Sequence, residues 1–244
     1  MANTYTIKIT NEDKWLPSTI CYIYSAPIKC KATLYATLYQ ELEIEAMESG
    51  TITVIPEAYA VVATTPRDNS EYSDPEDPIP TSIINLEARP VRLTKRPVKG
   101  SVVKIDCGVI DGGEGEGGLR PFFDDAAVGT TTMDGSFRIS TSANVVHSAD
   151  EMIVMGMGLK NPQTEEIVPV ALCPAIPDGT LTFTPELNVY YIALGGFTMG
   201  EYEKMEYVSY NWFTEIDFRG KPPGTEIAAT WRRNPDGNCE WIMH

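Results

Sequence analysis

The sequence predicts an all-β protein, and three observations carry the prediction. Apolar and polar residues alternate with a period of two along segment after segment. Glycine (19) and proline (18) are plentiful and scattered, which suits many short strands joined by turns better than long helices. The chain also ends in two strand-like runs, 226–232 and 239–243, around Asn234-Pro235-Asp236-Gly237. There proline sets φ early and glycine is free to take a positive φ late, as a hairpin turn requires.

In chain order, residues 5–10 and 20–24 read as the first strands. From Ala32 to Ala46 the even positions are mostly apolar while the odd ones run through Thr, Tyr and Glu, a two-faced strand pattern. Leu34, Leu38 and Leu42 also stand at helical spacing, so a helix is the rival reading of this segment. Strands follow at 50–55 and 59–64. Residues 66–80 then hold four prolines and five acids with little to bury, and read as a linker or long surface loop. Further strands are expected at 91–94, 101–107, 136–140, 152–159, 167–173, 181–184, 189–194, 207–210 and 214–218.

These elements suggest two packed β-sandwich-like units, 1–95 and 96–244, with one large interleaved β-sandwich or barrel as the alternative. A chain of 244 residues with 43% hydrophobic and 22% charged residues is long and apolar enough for either.

Charge and composition narrow the function. The net charge of −15 repels phosphate backbones and anionic lipid, so neither nucleic acid nor a membrane surface is expected as a partner. The first ten residues lack the basic and apolar regions of a secretory signal, and no apolar run is long enough to span a bilayer as a helix. Five widely spaced cysteines without a C-x-x-C pair signal neither a disulfide framework nor a zinc site. With no N-x-[ST] sequon, these features point to a soluble protein of a reducing compartment, the cytoplasm.

The segment from Cys107 to Asp125 crowds six glycines and five acids between strands. Gly113, Gly115 and Gly118 satisfy the dinucleotide spacing, but Glu114 and Glu116 would oppose a pyrophosphate and no clear helix follows. The acids are hard donors suited to calcium, a lesser reading because their spacing matches neither the twelve-residue EF-hand loop nor repeated G-G-x-G-x-D calcium turns. No cofactor or metal is therefore expected. A solvated connector, or a lid ending in Phe122 and Phe123 with Arg120 and Asp124 beside them, are the remaining readings.

Histidine is scarce, so any histidine-based mechanism rests on His147. Residues 197–218 mix aromatics with carboxylates: Tyr202, Tyr210 and Trp212 offer flat apolar surface, and Glu201 and Glu203 beside such surface are candidate general acids. The same aromatics also suit strand cores. The bases Arg89, Arg92, Lys95, Arg96, Lys99 and Lys104 are able to clamp an anion, to guard strand edges, or to neutralise the acidic loop across a subunit or domain contact.

The reading that results is a protein binding a small aromatic or polycyclic ligand in an aromatic-lined pocket, with Phe122, Phe123, Tyr202, Tyr210, Trp212 and Arg120 as ligand contacts. Its first alternative is a cofactor-independent cyclase, isomerase or dehydratase using Asp124, Glu201, Glu203 or His147. Its second is a carbohydrate-binding or self-assembling module, and a homo-oligomer fits any of the three.

Overall fold

The structure, a computed structural model, describes residues 3–16, 18–67, 80–109, 119–125, 129–148, 150–195, 202–205 and 213–244. Among these there is no helix. The strands are β1 (Tyr5–Asn11), β2 (Ser18–Ser25), β3 (Tyr35–Ala36), β4 (Gln40–Glu45), β5 (Ser49–Val54), β6 (Ala58–Pro66) and β7 (Ile84–Pro90). They continue with β8 (Gly100–Val109), β9 (Leu119–Phe123), β10 (Gly129–Thr131), β11 (Phe137–Thr141), β12 (Glu151–Lys160) and β13 (Ile167–Pro174). The last are β14 (Thr180–Phe183), β15 (Val189–Leu194), β16 (Glu203–Lys204), β17 (Thr214–Asp217), β18 (Glu226–Arg233) and β19 (Cys239–Met243).

Four sheets pack together. Sheet I has the order β19-β18-β1-β5, sheet II β17-β15-β2-β4, and sheet III β16-β3-β13-β12-β6-β7. Sheet IV runs β10-β8-β11-β14, with β9 on the remainder of the β8 edge that β10 occupies. Sheets I, II and III each take strands from both sides of residue 95, whereas the strands of sheet IV all follow it. The two ends of the chain meet in sheet I, where β1 pairs in parallel with β18 from Thr6↔Glu226 to Asn11↔Trp231.

Period-two patterning explains how the sheets close on one core. In β1, Tyr5, Ile7 and Ile9 are buried while Thr6, Lys8 and Thr10 face outward. One apolar cluster joins Ile7 and Ile52 of sheet I, Ile23 and Ile192 of sheet II, Val62 and Met155 of sheet III, and Ile105 and Phe183 of sheet IV. Phe218, which follows β17, stacks on Tyr5 with ring centroids 4.5 Å apart and meets Tyr190 edge-on at 6.3 Å. β12 lies between β6 and β13 with eight of its ten residues buried, so sheet III is apolar on both faces there.

Two expectations change. The segment 32–46 is not one strand: β3 pairs with β13 in sheet III and β4 with β2 in sheet II. Between them Thr37 and Tyr39 are buried along with Leu38, so the two-faced alternation breaks where the chain passes from one sheet to the next. Tyr39 pins this crossing, its N–H donating to the Ile23 carbonyl at 2.8 Å and its hydroxyl to that of Lys160 at 2.7 Å. The strand expected at 91–94 lies earlier instead, at β7, and pairs with β6 across an irregularity near Asn85, whose φ is 52°. The expected strand at 207–210 and most of the 66–80 linker lie outside the described residues.

Candidate functional site

The residues singled out from the sequence are placed on different elements. Phe123 belongs to the core, 5% exposed, with the Arg89 guanidinium 5.1 Å above its ring. Its N–H donates to Glu87 Oε2 at 2.8 Å, and its carbonyl accepts from Arg89 Nη2 at 3.3 Å. The end of β9 is thus docked onto β7, and Arg89 also pairs with Asp125. Phe122 and Arg120 are exposed on the outer face of sheet IV, opposite Asp106 and Gly108. Asp124 is half-buried, and its N–H donates to the Lys104 carbonyl at 2.9 Å.

Tyr202 is buried against the outer face of sheet III with Tyr35, Val61, Val154 and Leu172, and burial raises its phenol pKa. It is a packing residue there. Glu203 starts β16, opposite Ala36. Glu201, Tyr210 and Trp212 lie outside the described residues, as does most of the acidic glycine segment. Asp124, Tyr202 and His147 stand on three separate parts of the fold, after β9, before β16 and before β12.

His147 is held by the backbone. Its Nδ1 accepts the Ile153 N–H at 3.1 Å, and the ring also hydrogen-bonds the Ala175 backbone. Burial first, and then the positive charge of Arg67, push its pKa below the usual 6.5, against an opposing pull from the Ala175 bond. Protonation at Nδ1 would oppose two N–H groups, so this imidazole latches the loop before β12 and lacks a free lone pair for base catalysis. Because its folded pKa is lowered, its contribution to stability is complete above the unfolded value and drains away as pH falls through the folded one. A His147→Gln chain is expected to lose less thermal stability than the wild type on acidification below pH 6.5. Melting curves that fall in parallel for the two chains would refute this.

A concave feature of the described surface lies on the outer face of sheet IV. Along β14, Leu181 and Phe183 turn into the core, which leaves Thr180 and Thr182 on the outer face, with Thr184 continuing the row. In β11 the buried Phe137 and Ile139 likewise leave Arg138 outward, in register with Thr182. Arg138 Nε donates to Thr182 Oγ1 at 3.1 Å, which orients the guanidinium along the sheet.

On the other side of β14 the chain around Lys29 adds one bridge to the sheet edge. Lys29 N–H donates to the Thr184 carbonyl at 3.2 Å, and Thr184 N–H returns to Lys29 at 3.0 Å. Bridge partners share a face, so Lys29 rises beside Thr184 as Arg138 rises beside Thr182. The cleft so formed has a volume of about 600 Å³ and is completed by Cys30, Lys31 and Met133. Among the described residues its lining carries three cations and three threonine hydroxyls and no carboxylate, histidine or aromatic ring. The half-buried Cys30 thiol has its pKa raised by burial, which keeps it protonated at neutral pH.

Sequence reading missed this site. Its available signals were the alternating hydroxyls of Thr180-Leu-Thr-Phe-Thr184 and the paired lysines around Cys30, each of which reads locally as an ordinary strand or loop. Among the described residues no group of three histidines, cysteines or carboxylates is placed to hold a metal ion, and no helix is long and apolar enough to cross a membrane. Comparison with known protein families, with curated proteins and with solved structures finds no match.

Proposed function

We propose that the protein binds a small organic anion in the sheet IV cleft. The observation that carries this reading is the convergence of Lys29, Lys31 and Arg138 with Thr180, Thr182 and Thr184 in one concavity of a chain whose net charge is −15. A volume of about 600 Å³ falls in the usual range for small-molecule sites. The guanidinium suits bidentate contact with a carboxylate, sulfate or phosphate, and the hydroxyls serve as donor or acceptor to the rest of the ligand. Met133 and the lysine stems supply the apolar surface, so the ligand body rests on aliphatic groups rather than the aromatic lining expected from the sequence.

Binding, not turnover, is the reading favoured, because the described residues of the lining offer none of the carboxylate, imidazole or phenol groups that acid–base catalysis of a cyclisation or isomerisation would draw on. The test is fluorescence titration with 1-anilinonaphthalene-8-sulfonate, followed by displacement with benzoate. Arg138→Ala is expected to weaken the dye about tenfold, roughly 1.4 kcal/mol, and a Lys29→Glu/Lys31→Glu chain at least as much. Unchanged affinity in both variants would remove the proposal.

A further inference from the structure

The loop that supplies Met133 to the cleft also holds a second group of cations. The loop after β10 runs Met133-Asp134-Gly135 into β11; Met133 lines the cleft, while the next two residues hold the turn at 94–99. Gly135 N–H donates to the Thr94 carbonyl at 2.9 Å, and Thr94 N–H to the Ser136 carbonyl at 3.0 Å. The Thr94 hydroxyl donates to the Thr131 carbonyl at 3.1 Å, and Arg96 lies 3.9 Å from Asp134. The turn itself is closed by reciprocal bonds between Lys95 and Val98. It is therefore fixed to the wall of the cleft and presents Lys95, Arg96 and Lys99 to solvent.

Six of the chain's 19 bases thus fall in two groups joined by one loop: Lys29, Lys31 and Arg138 in the cleft, and Lys95, Arg96 and Lys99 on the turn that the same loop holds. Among the described residues, Asp134 is the carboxylate paired with this turn, through an arginine whose side chain is 87% exposed. A single small anion occupies only the cleft and leaves the turn unused. We infer that the cleft is one end of a longer site, and that its ligand class is an acidic oligosaccharide, a chain of sugar rings bearing repeated carboxylate or sulfate groups. This rests on the cleft being an anion site.

The chemistry of this surface separates the ligand from the other common linear polyanion. Proteins that hold single-stranded nucleic acid stack its bases on aromatic side chains, and among the described residues no aromatic ring lines the cleft. Duplex recognition inserts a protruding element into a groove, whereas this surface is concave. A chain of −15 also repels dense phosphates more than widely spaced carboxylates. The row of Thr180, Thr182 and Thr184 offers hydrogen-bond partners to ring hydroxyls, and the two groups of cations offer partners to repeated acid groups.

The test uses the full chain, NMR titration and four probes: galacturonate, its linear hexamer, a neutral glucan hexamer, and a ten-nucleotide thymidylate strand. The acidic hexamer is expected to bind at least tenfold tighter than the monomer and the neutral hexamer. A Lys95→Glu/Arg96→Glu/Lys99→Glu chain should lose that advantage while still binding the monomer and the sulfonate dye; Arg138→Ala should weaken every acidic probe. A hexamer no tighter than the monomer, an unaffected turn variant, or a neutral hexamer of equal affinity overturns the extended site, and leaves the cleft standing if the dye still responds to Arg138→Ala. Tighter binding of the thymidylate overturns the ligand class. Failure of every probe, dye included, overturns both readings.

Discussion

A Gly156→Ala chain is expected to unfold about 3 kcal/mol more easily than the wild type, the upper range for overpacking a core, and to lie close to the limit of folding at 37 °C. Gly156 sits in the middle of β12, paired with Val61 on one side and Leu172 on the other. A Cβ there would stand 1.9 Å from the Ala171 carbonyl oxygen and 3.0 Å from Leu172 Cα. Those atoms are backbone in the neighbouring strand, so no side-chain rotation relieves the overlap; β13 has to move. The strands already change register between Met157 and Gly158, and a Cβ at Gly158 would meet Val61 and Ile167 side chains at 2.8 and 2.6 Å. The close approach of β13 thus depends on both glycines. Gly108→Ala is the control, because its Cβ would meet nothing nearer than Phe122 at 3.5 Å, and it should change stability by less than about 0.5 kcal/mol. Urea unfolding followed by fluorescence and circular dichroism measures both. Equal midpoints for Gly156→Ala and Gly108→Ala would show that β13 yields at little cost.

Breaking the Asp13–Arg233 pair is expected to have the second largest effect, and to reveal itself through acid. The Asp13 side chain is 2% exposed, and its carboxylate accepts Arg233 Nη2 at 2.8 Å and the Trp15 N–H at 3.0 Å. The pair ties the segment leaving β1 to the C-terminal hairpin, across 220 residues of sequence. The hydrogen bond from Arg233, and then that from Trp15, hold the carboxyl below its usual 3.8. Because the folded pKa is lowered, the pair stabilises fully above the unfolded value and the contribution disappears as pH falls through the folded one. Wild-type protein should therefore lose stability below pH 3.8 more steeply than an Asp13→Asn chain. At neutral pH, Arg233→Met should be more destabilised than Asp13→Asn/Arg233→Met, since the single change strands a buried charge and the double change removes it. A double variant less stable than Arg233→Met would contradict that account.

How much of this was legible in the sequence differs between the strands and the site. The strand at 189–194 was read with its observed limits, and 239–243 likewise, because alternation is a property of neighbouring residues and needs no partner to be seen. The hairpin turn was equally local: Gly237 has φ 86°, and Asn234 Oδ1 accepts the N–H groups of Asp236 and Asn238. β7 escaped notice because Glu87 and Arg89 look like loop residues until β9 is seen docked on them. The segment 32–46 misled for the opposite reason, since one alternating pattern spans two strands that belong to different sheets.

The site followed the same division. The aromatic and acidic stretches attracted attention as composition, yet Phe123 and Tyr202 are packing residues and His147 is tied to backbone. By itself the sequence determined the all-β class, the strands near 136–140 and 181–184 that carry Arg138 and Thr182, and the net negative charge against which a few bases stand out. Only the tertiary structure decided that Lys29, Met133, Arg138 and Thr182 share one cleft. The physical reason is the range of the forces involved. Side-chain alternation is set by backbone geometry within a strand, whereas the order of strands in a sheet is set by which distant faces bury one another, and the cleft exists only where β11, β14 and the Lys29 bridge are brought edge to edge.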